Sequence, residues 1–141
     1  MTDVPAGGVV ELVTPGSTAR YVGNWTAGTR GDTARHRVTI RAQAGLSSAP
    51  ILDGDGPDAP ARETCSTASC DGPVLTVPAT AHVRLTGITI ADGLNNSGSN
   101  NTSSGLLADG SVTVTDCTFT GNQTSSFGAA IFNGPGRSCR S

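Results

Sequence analysis

Three groups of residues have types and spacings that could do chemistry. Asp53, Asp55 and Asp58 form a D-x-D-x-x-D cluster of hard oxygen ligands, the kind that calcium takes. The spacing fits no EF-hand, because Pro57 and Thr64 stand where ligands are needed, and a Gly- and Pro-rich acidic turn accounts for the cluster as well. Cys65 and Cys70 are near enough in sequence for a disulfide within one loop, which would suit an oxidising compartment. Without a second cysteine pair or a nearby histidine they make no zinc site. Asn24, Asn95, Asn100, Asn101 and Asn122 each begin an N-x-Ser/Thr triplet, which a chain this rich in Thr, Ser and Asn produces by composition alone. His36 and His82 are single, and no serine or cysteine has a recognisable nucleophile context. No residue is therefore assigned as catalytic, cofactor-binding or metal-binding, and no cofactor is expected.

The elements that must position these residues are repeated. Val83-Arg84-Leu85-Thr86-Gly87-Ile88-Thr89-Ile90-Ala91-Asp92-Gly93 aligns with Val112-Thr113-Val114-Thr115-Asp116-Cys117-Thr118-Phe119-Thr120-Gly121-Asn122 at an offset of 29 residues. Each copy alternates apolar and polar, bends at a short polar step, then alternates again. Alternation with period two marks a strand, and a unit of strand, bend and strand recurring after a few tens of residues reads as one coil of a β-solenoid. Gly105-Leu106-Leu107-Ala108-Asp109-Gly110 is echoed by Ala129-Ala130-Ile131-Phe132-Asn133-Gly134 at an offset of 24, near one coil's circumference. Cys117 falls on an inward position, where a thiol acts as a small hydrophobe.

Earlier segments follow the same grammar. Residues 7–23 give a strand, a Pro15-Gly16 turn and a second strand; residues 24–36 read as a loop. Residues 37–54 make another coil, and alternation puts Arg37 and Arg41 of the Arg30, Arg35, His36, Arg37, Arg41 cluster on a solvated outer face. Residues 53–73 and 94–105 read as protruding loops. The chain is expected to be a single domain, 1–141, of about five coils. Its tail, Pro135 to Ser141 with Cys139, has no capping character, which would make the chain a fragment of a longer parent protein.

Composition agrees. Nineteen glycines and only five aromatics among 141 residues are too few large side chains for a central globular core, but enough for thin stacked coils. With a formal net charge of -2, the chain lacks the basic excess of a nucleic-acid binder. No apolar stretch approaches bilayer length, so no direct membrane insertion by this segment is expected, and Met1 to Pro5 do not read as a signal peptide.

The stretch from Leu106 to Asn122 resembles the repeat of the polymorphic outer membrane proteins and, more broadly, the right-handed parallel β-helix proteins of the pectin-lyase-like class. Phe119-Thr120-Gly121-Asn122 fits the Phe-x-x-Asn motif, and Gly128-Ala129-Ala130-Ile131 fits Gly-Gly-Ala-(Ile/Leu/Val) except at Ala129. The earlier copy, Ile90-Ala91-Asp92-Gly93, has neither the Phe nor the Asn. The resemblance implies an all-β, right-handed parallel β-helix, a solenoid without caps. Phe119 would stack inside, Asn122 would bond the next coil's turn, and residues 128–130 would make a tight corner. It further implies an extracellular or cell-surface, outer-membrane or envelope location. The function implied is adhesion or structural display toward a cell-surface protein or glycan. A truncated carbohydrate-active β-helix, a polysaccharide lyase or glycosidase, is the alternative; such enzymes align carboxylates on one face, whereas Arg84 and Asp116 stand isolated here.

Overall fold

The computed structural model describes residues 7–13, 20–28, 37–54, 72–95, 103–124, 128–134 and 139–140. Among these there is no helix. The strands are β1 (Val9–Leu12), β2 (Arg20–Val22), β3 (Trp25–Thr26), β4 (Val38–Ala42), β5 (Ile51–Asp53), β6 (Leu75–Val77), β7 (His82–Thr86) and β8 (Thr89–Ala91). They continue as β9 (Leu94–Asn95), β10 (Leu106–Ala108), β11 (Ser111–Thr115), β12 (Thr118–Thr120), β13 (Gln123–Thr124), β14 (Ile131–Asn133) and β15 (Cys139–Arg140).

The strands sort into three main parallel sheets with orders β1-β4-β7-β11-β15, β2-β5-β8-β12 and β3-β6-β10-β14, plus the pair β9-β13. In chain order the backbone therefore passes from the first sheet to the second to the third, four times over, and β15 returns to the first. Short strands rich in Val, Ile, Leu and Thr, broken every few residues by Gly or Asp, can do this because each strand needs only two to five paired residues.

Register aligns the inward side chains into columns. In the first sheet Val38, Val83 and Val112 are in line, and so are Val10, Ile40, Leu85 and Val114. In the second, Tyr21, Leu52, Ile90 and Phe119 form one column. In the third, Trp25, Leu75, Leu106 and Ile131 do the same. Ile40, Leu75, Leu85, Ile90 and Leu106 are fully buried, so the core is a stack one side chain deep per coil. Each such burial contributes about 1.5–3 kcal/mol.

The bends use the left-handed backbone region. Gly87 (φ 67°) and Asp116 (φ 51°) occupy equivalent corners between the first and second sheets, and Asp92 (φ 57°) and Gly121 (φ 64°) occupy equivalent corners after the second. Asp tolerates this conformation better than most side chains. At Gly121 a Cβ would lie 2.1 Å from Oδ1 of Asp92 on the neighbouring pass, so a larger residue there requires the Asp92 side chain to move.

The 29-residue alignment is the observed register, with Val83 opposite Val112 and Ile90 opposite Phe119. The 24-residue echo is off by one. Leu106 pairs with Ile131, an offset of 25, because the Leu106 N–H bonds the Ala130 carbonyl and so places the following residue alongside. A slip of one residue would turn every side chain to the other face. Four boundaries also change. Trp25 and Thr26, expected in a loop, form β3 by pairing with β6. Of the expected loop 94–105, Leu94 and Asn95 form β9, and Ser103 and Ser104 are fully buried, their hydroxyls donating to the carbonyls of Gly128 and Ala129. Asp53 ends β5 instead of opening a loop, and Cys139 and Arg140 pair with β11 instead of trailing as a tail.

Candidate functional site

The outward face of the first sheet gathers the most charge and hydroxyl groups. Alternation on β4, β7 and β11 buries Val38, Ile40, Val83, Leu85 and Val112, which turns the intervening residues outward. Those residues are Thr39, Arg41, His82, Arg84, Thr86, Ser111, Thr113 and Thr115. Thr39, Arg84 and Thr113 are directly in line, and so are Glu11, Arg41, Thr86 and Thr115. Arg37 immediately precedes β4 and holds the position equivalent to His82. The Arg41 Nε donates to Glu11 Oε1 at 3.0 Å across the first two strands. Arg84 is exposed and has no ion pair or side-chain hydrogen bond among the described residues. Within β1, β4, β7 and β11, Glu11 is the only carboxylate.

A second cluster is internal. Asp53 is fully buried, and the Arg20 guanidinium donates to its Oδ2 and lies 3.4 Å from Oδ2 of Asp92. The bond to Asp53 is the main cause holding the Arg20 pKa above its ordinary value. Arg20 on β2 thus ties together the ends of β5 and β8, and Asp53 is engaged in an ion pair. Asp55 and Asp58 lie outside the described residues, as do Cys65, Cys70, His36, Arg30, Arg35, Asn100 and Asn101. Among the described residues no group of three His, Cys, Asp or Glu side chains could hold a metal ion.

The remaining sequence-marked residues are structural. Asn122 donates from Nδ2 to the Ile90 carbonyl at 3.0 Å and accepts from the Gly93 N–H at 2.9 Å. It therefore ties to the preceding coil, where the resemblance led us to expect the next one. Asn95 is buried, its Nδ2 donating to the Ser103 carbonyl, so neither amide is presented as a sugar acceptor. Asn24 is exposed. Cys117 is half-buried against the core and donates weakly to the Thr115 carbonyl, and burial pushes its thiol pKa up. Asp116 sits at an exposed corner, apart from Arg84. A cavity of about 60 Å³ lined by Val10, Leu12, Tyr21, Trp25 and Leu52 lies at the first pass of the chain and offers only apolar walls apart from Tyr21 and Trp25.

The arginine positions of the face were legible from alternation, but their juxtaposition across strands was not. Arg37 and Arg41 share a sheet face with Arg84 only through pairing between segments 45 residues apart, as Val38 and Val83 show. Comparison with protein-family models, characterised proteins and solved structures gives no match. No helix among the described residues is long and apolar enough to cross a membrane.

Proposed function

We propose that this chain is a non-enzymatic segment of a right-handed parallel β-helix, displayed at a cell surface or secreted, that acts in adhesion or structural display. The three sheets visited in fixed order support the solenoid, and the Phe119 column supports the resemblance to polymorphic outer membrane protein repeats. The observation that carries the function is the first sheet's outward face. It sets arginines among threonines on a flat scaffold of paired strands, with one carboxylate already engaged by Arg41. Such a face can hold a partner by hydrogen bonds and charge, and it lacks the paired acids that glycosidic cleavage needs.

The test is adhesion of cultured cells to beads coated with the chain. Cells should bind, and Thr113→Glu, which puts a carboxylate into the middle of the face, should abolish binding while leaving the far-ultraviolet strand spectrum unchanged. Beads that bind no cells, or a Thr113→Glu variant that binds as well as the parent, would refute the assignment. Cleavage of polygalacturonate by the chain, with or without calcium, would replace it with the enzyme reading.

A further inference from the structure

From the N-x-Ser/Thr triplets we infer that N-glycosylation blocks folding of this chain at Asn95 and Asn122. Resting on the surface or secreted reading above, it follows that the chain is exported by a route without an oligosaccharyltransferase. Such an enzyme joins the Asn Nδ2 to C1 of a sugar carried on a polyprenyl diphosphate. The diphosphate leaves, and one of the two Nδ2 protons passes to the enzyme. The attached sugar then needs a path from Nδ2 to solvent. Asn95-Asn96-Ser97 and Asn122-Gln123-Thr124 are two of the five triplets, and the pairing of β9 with β13 brings them to one seam, with Thr124 alongside Asn95.

Neither site offers that path. Asn95 is 3% exposed, and its Nδ2 donates at 3.0 Å to the carbonyl of Ser103, which is itself fully buried. A sugar ring there would force the coils apart and bury hydroxyls without partners. At Asn122 both ends of the amide are held: Oδ1 accepts from the Gly93 N–H at 2.9 Å and Nδ2 donates to the Ile90 carbonyl at 3.0 Å. Gly105 closes on the same nitrogen, since even a Cβ on it would lie 3.1 Å from Nδ2. Turning that nitrogen out to solvent breaks both bonds to the preceding coil. Asn24, by contrast, is exposed, as is Thr26 of its triplet, so a triplet by itself is not the obstacle. Burial in the finished fold gives Asn95 and Asn122 no protection. The transferase acts on the extended chain as it enters the secretory lumen, and β9 must wait for β13 to be synthesised before the seam can close.

The experiment uses the whole chain carrying Asn24→Gln, Asn100→Gln and Asn101→Gln, which leaves the two inner triplets, secreted from a eukaryotic host cell behind a cleavable leader. A companion chain adds Ser97→Ala and Thr124→Val, which remove the hydroxyls that transfer requires and keep both amides. The first chain should carry sugar at Asn95 or Asn122, digest readily with protease, and be secreted at least about fivefold less than the companion. Tunicamycin, which depletes the lipid-linked donor, should raise its secretion severalfold. A secreted, protease-resistant chain with sugar mapped to Asn95 or Asn122 would overturn the block. So would a folded chain with both sites bare, or retention of both chains that tunicamycin does not relieve. The two readings fail separately. Cell adhesion by the unglycosylated chain, with sugar tolerated at both sites, would leave the surface reading standing and remove the block. A block without cell adhesion would do the reverse.

Discussion

Asn122→Ala should destabilise the fold far more than the loss of a half-exposed side chain suggests. Its amide satisfies two backbone groups on the neighbouring coil: the Ile90 carbonyl at 3.0 Å and the Gly93 N–H at 2.9 Å. Gly93 cannot move to find other partners, because even a Cβ placed on it would lie 1.9 Å from the Ser104 carbonyl oxygen. Each backbone group left unpaired costs about 1–1.5 kcal/mol in a partly buried setting, so the substitution costs about 2–3 kcal/mol. For a chain of this size that is a drop in Tm of roughly 10 °C. Asn122→Asp separates hydrogen bonding from packing: it keeps an acceptor for Gly93 but sets an oxygen against the Ile90 carbonyl, and should cost at least as much as alanine. Gln123→Ala, at the adjacent exposed position, should change stability by less than about 0.5 kcal/mol. Urea denaturation followed by circular dichroism reads all three. If Asn122→Ala and Gln123→Ala have the same midpoint, the amide is not holding the coils together and the reasoning is wrong.

Arg20→Met leaves the fully buried Asp53 without its guanidinium, a defect of about 3 kcal/mol, at the low end for buried pairs because Arg20 is one-third exposed. Adding Asp53→Asn should recover part of that loss in the same denaturation assay, whereas strictly additive effects would count against the pair. The Cys117 thiol, raised by burial, should react with iodoacetamide at less than about a tenth of its rate in the urea-unfolded chain, as peptide mapping would show. Because the folded pKa lies above the ordinary value of 9.0, the protonated thiol stabilises the fold below that pH, and this contribution is lost as pH rises through the folded pKa. Cys117→Ser should remove that alkaline loss from the stability profile.

Two kinds of information divide here. Local alternation in Val38–Ala42, His82–Thr86 and Ser111–Thr115 determined that these are strands and which residues face inward, because period-two burial is written into each segment by itself, and the 29-residue repeat gave the register of the last two. Trp25–Thr26 and Leu94–Asn95 carry no such signal. Their strand state comes from backbone partners on β6 and β13, so only pairing decided it. Asp53 reads as part of an acidic turn until Arg20, 33 residues earlier, is brought against it. The one-residue correction at Leu106–Ile131 likewise followed from which carbonyl faces the Leu106 N–H, whereas the sequence echo had been led by glycines at the corners. The arginines of the outer face were visible one at a time in the sequence. Their grouping around Thr39 belongs to the tertiary structure, because parallel pairing joins residues a whole coil apart and local sequence carries no record of that distance.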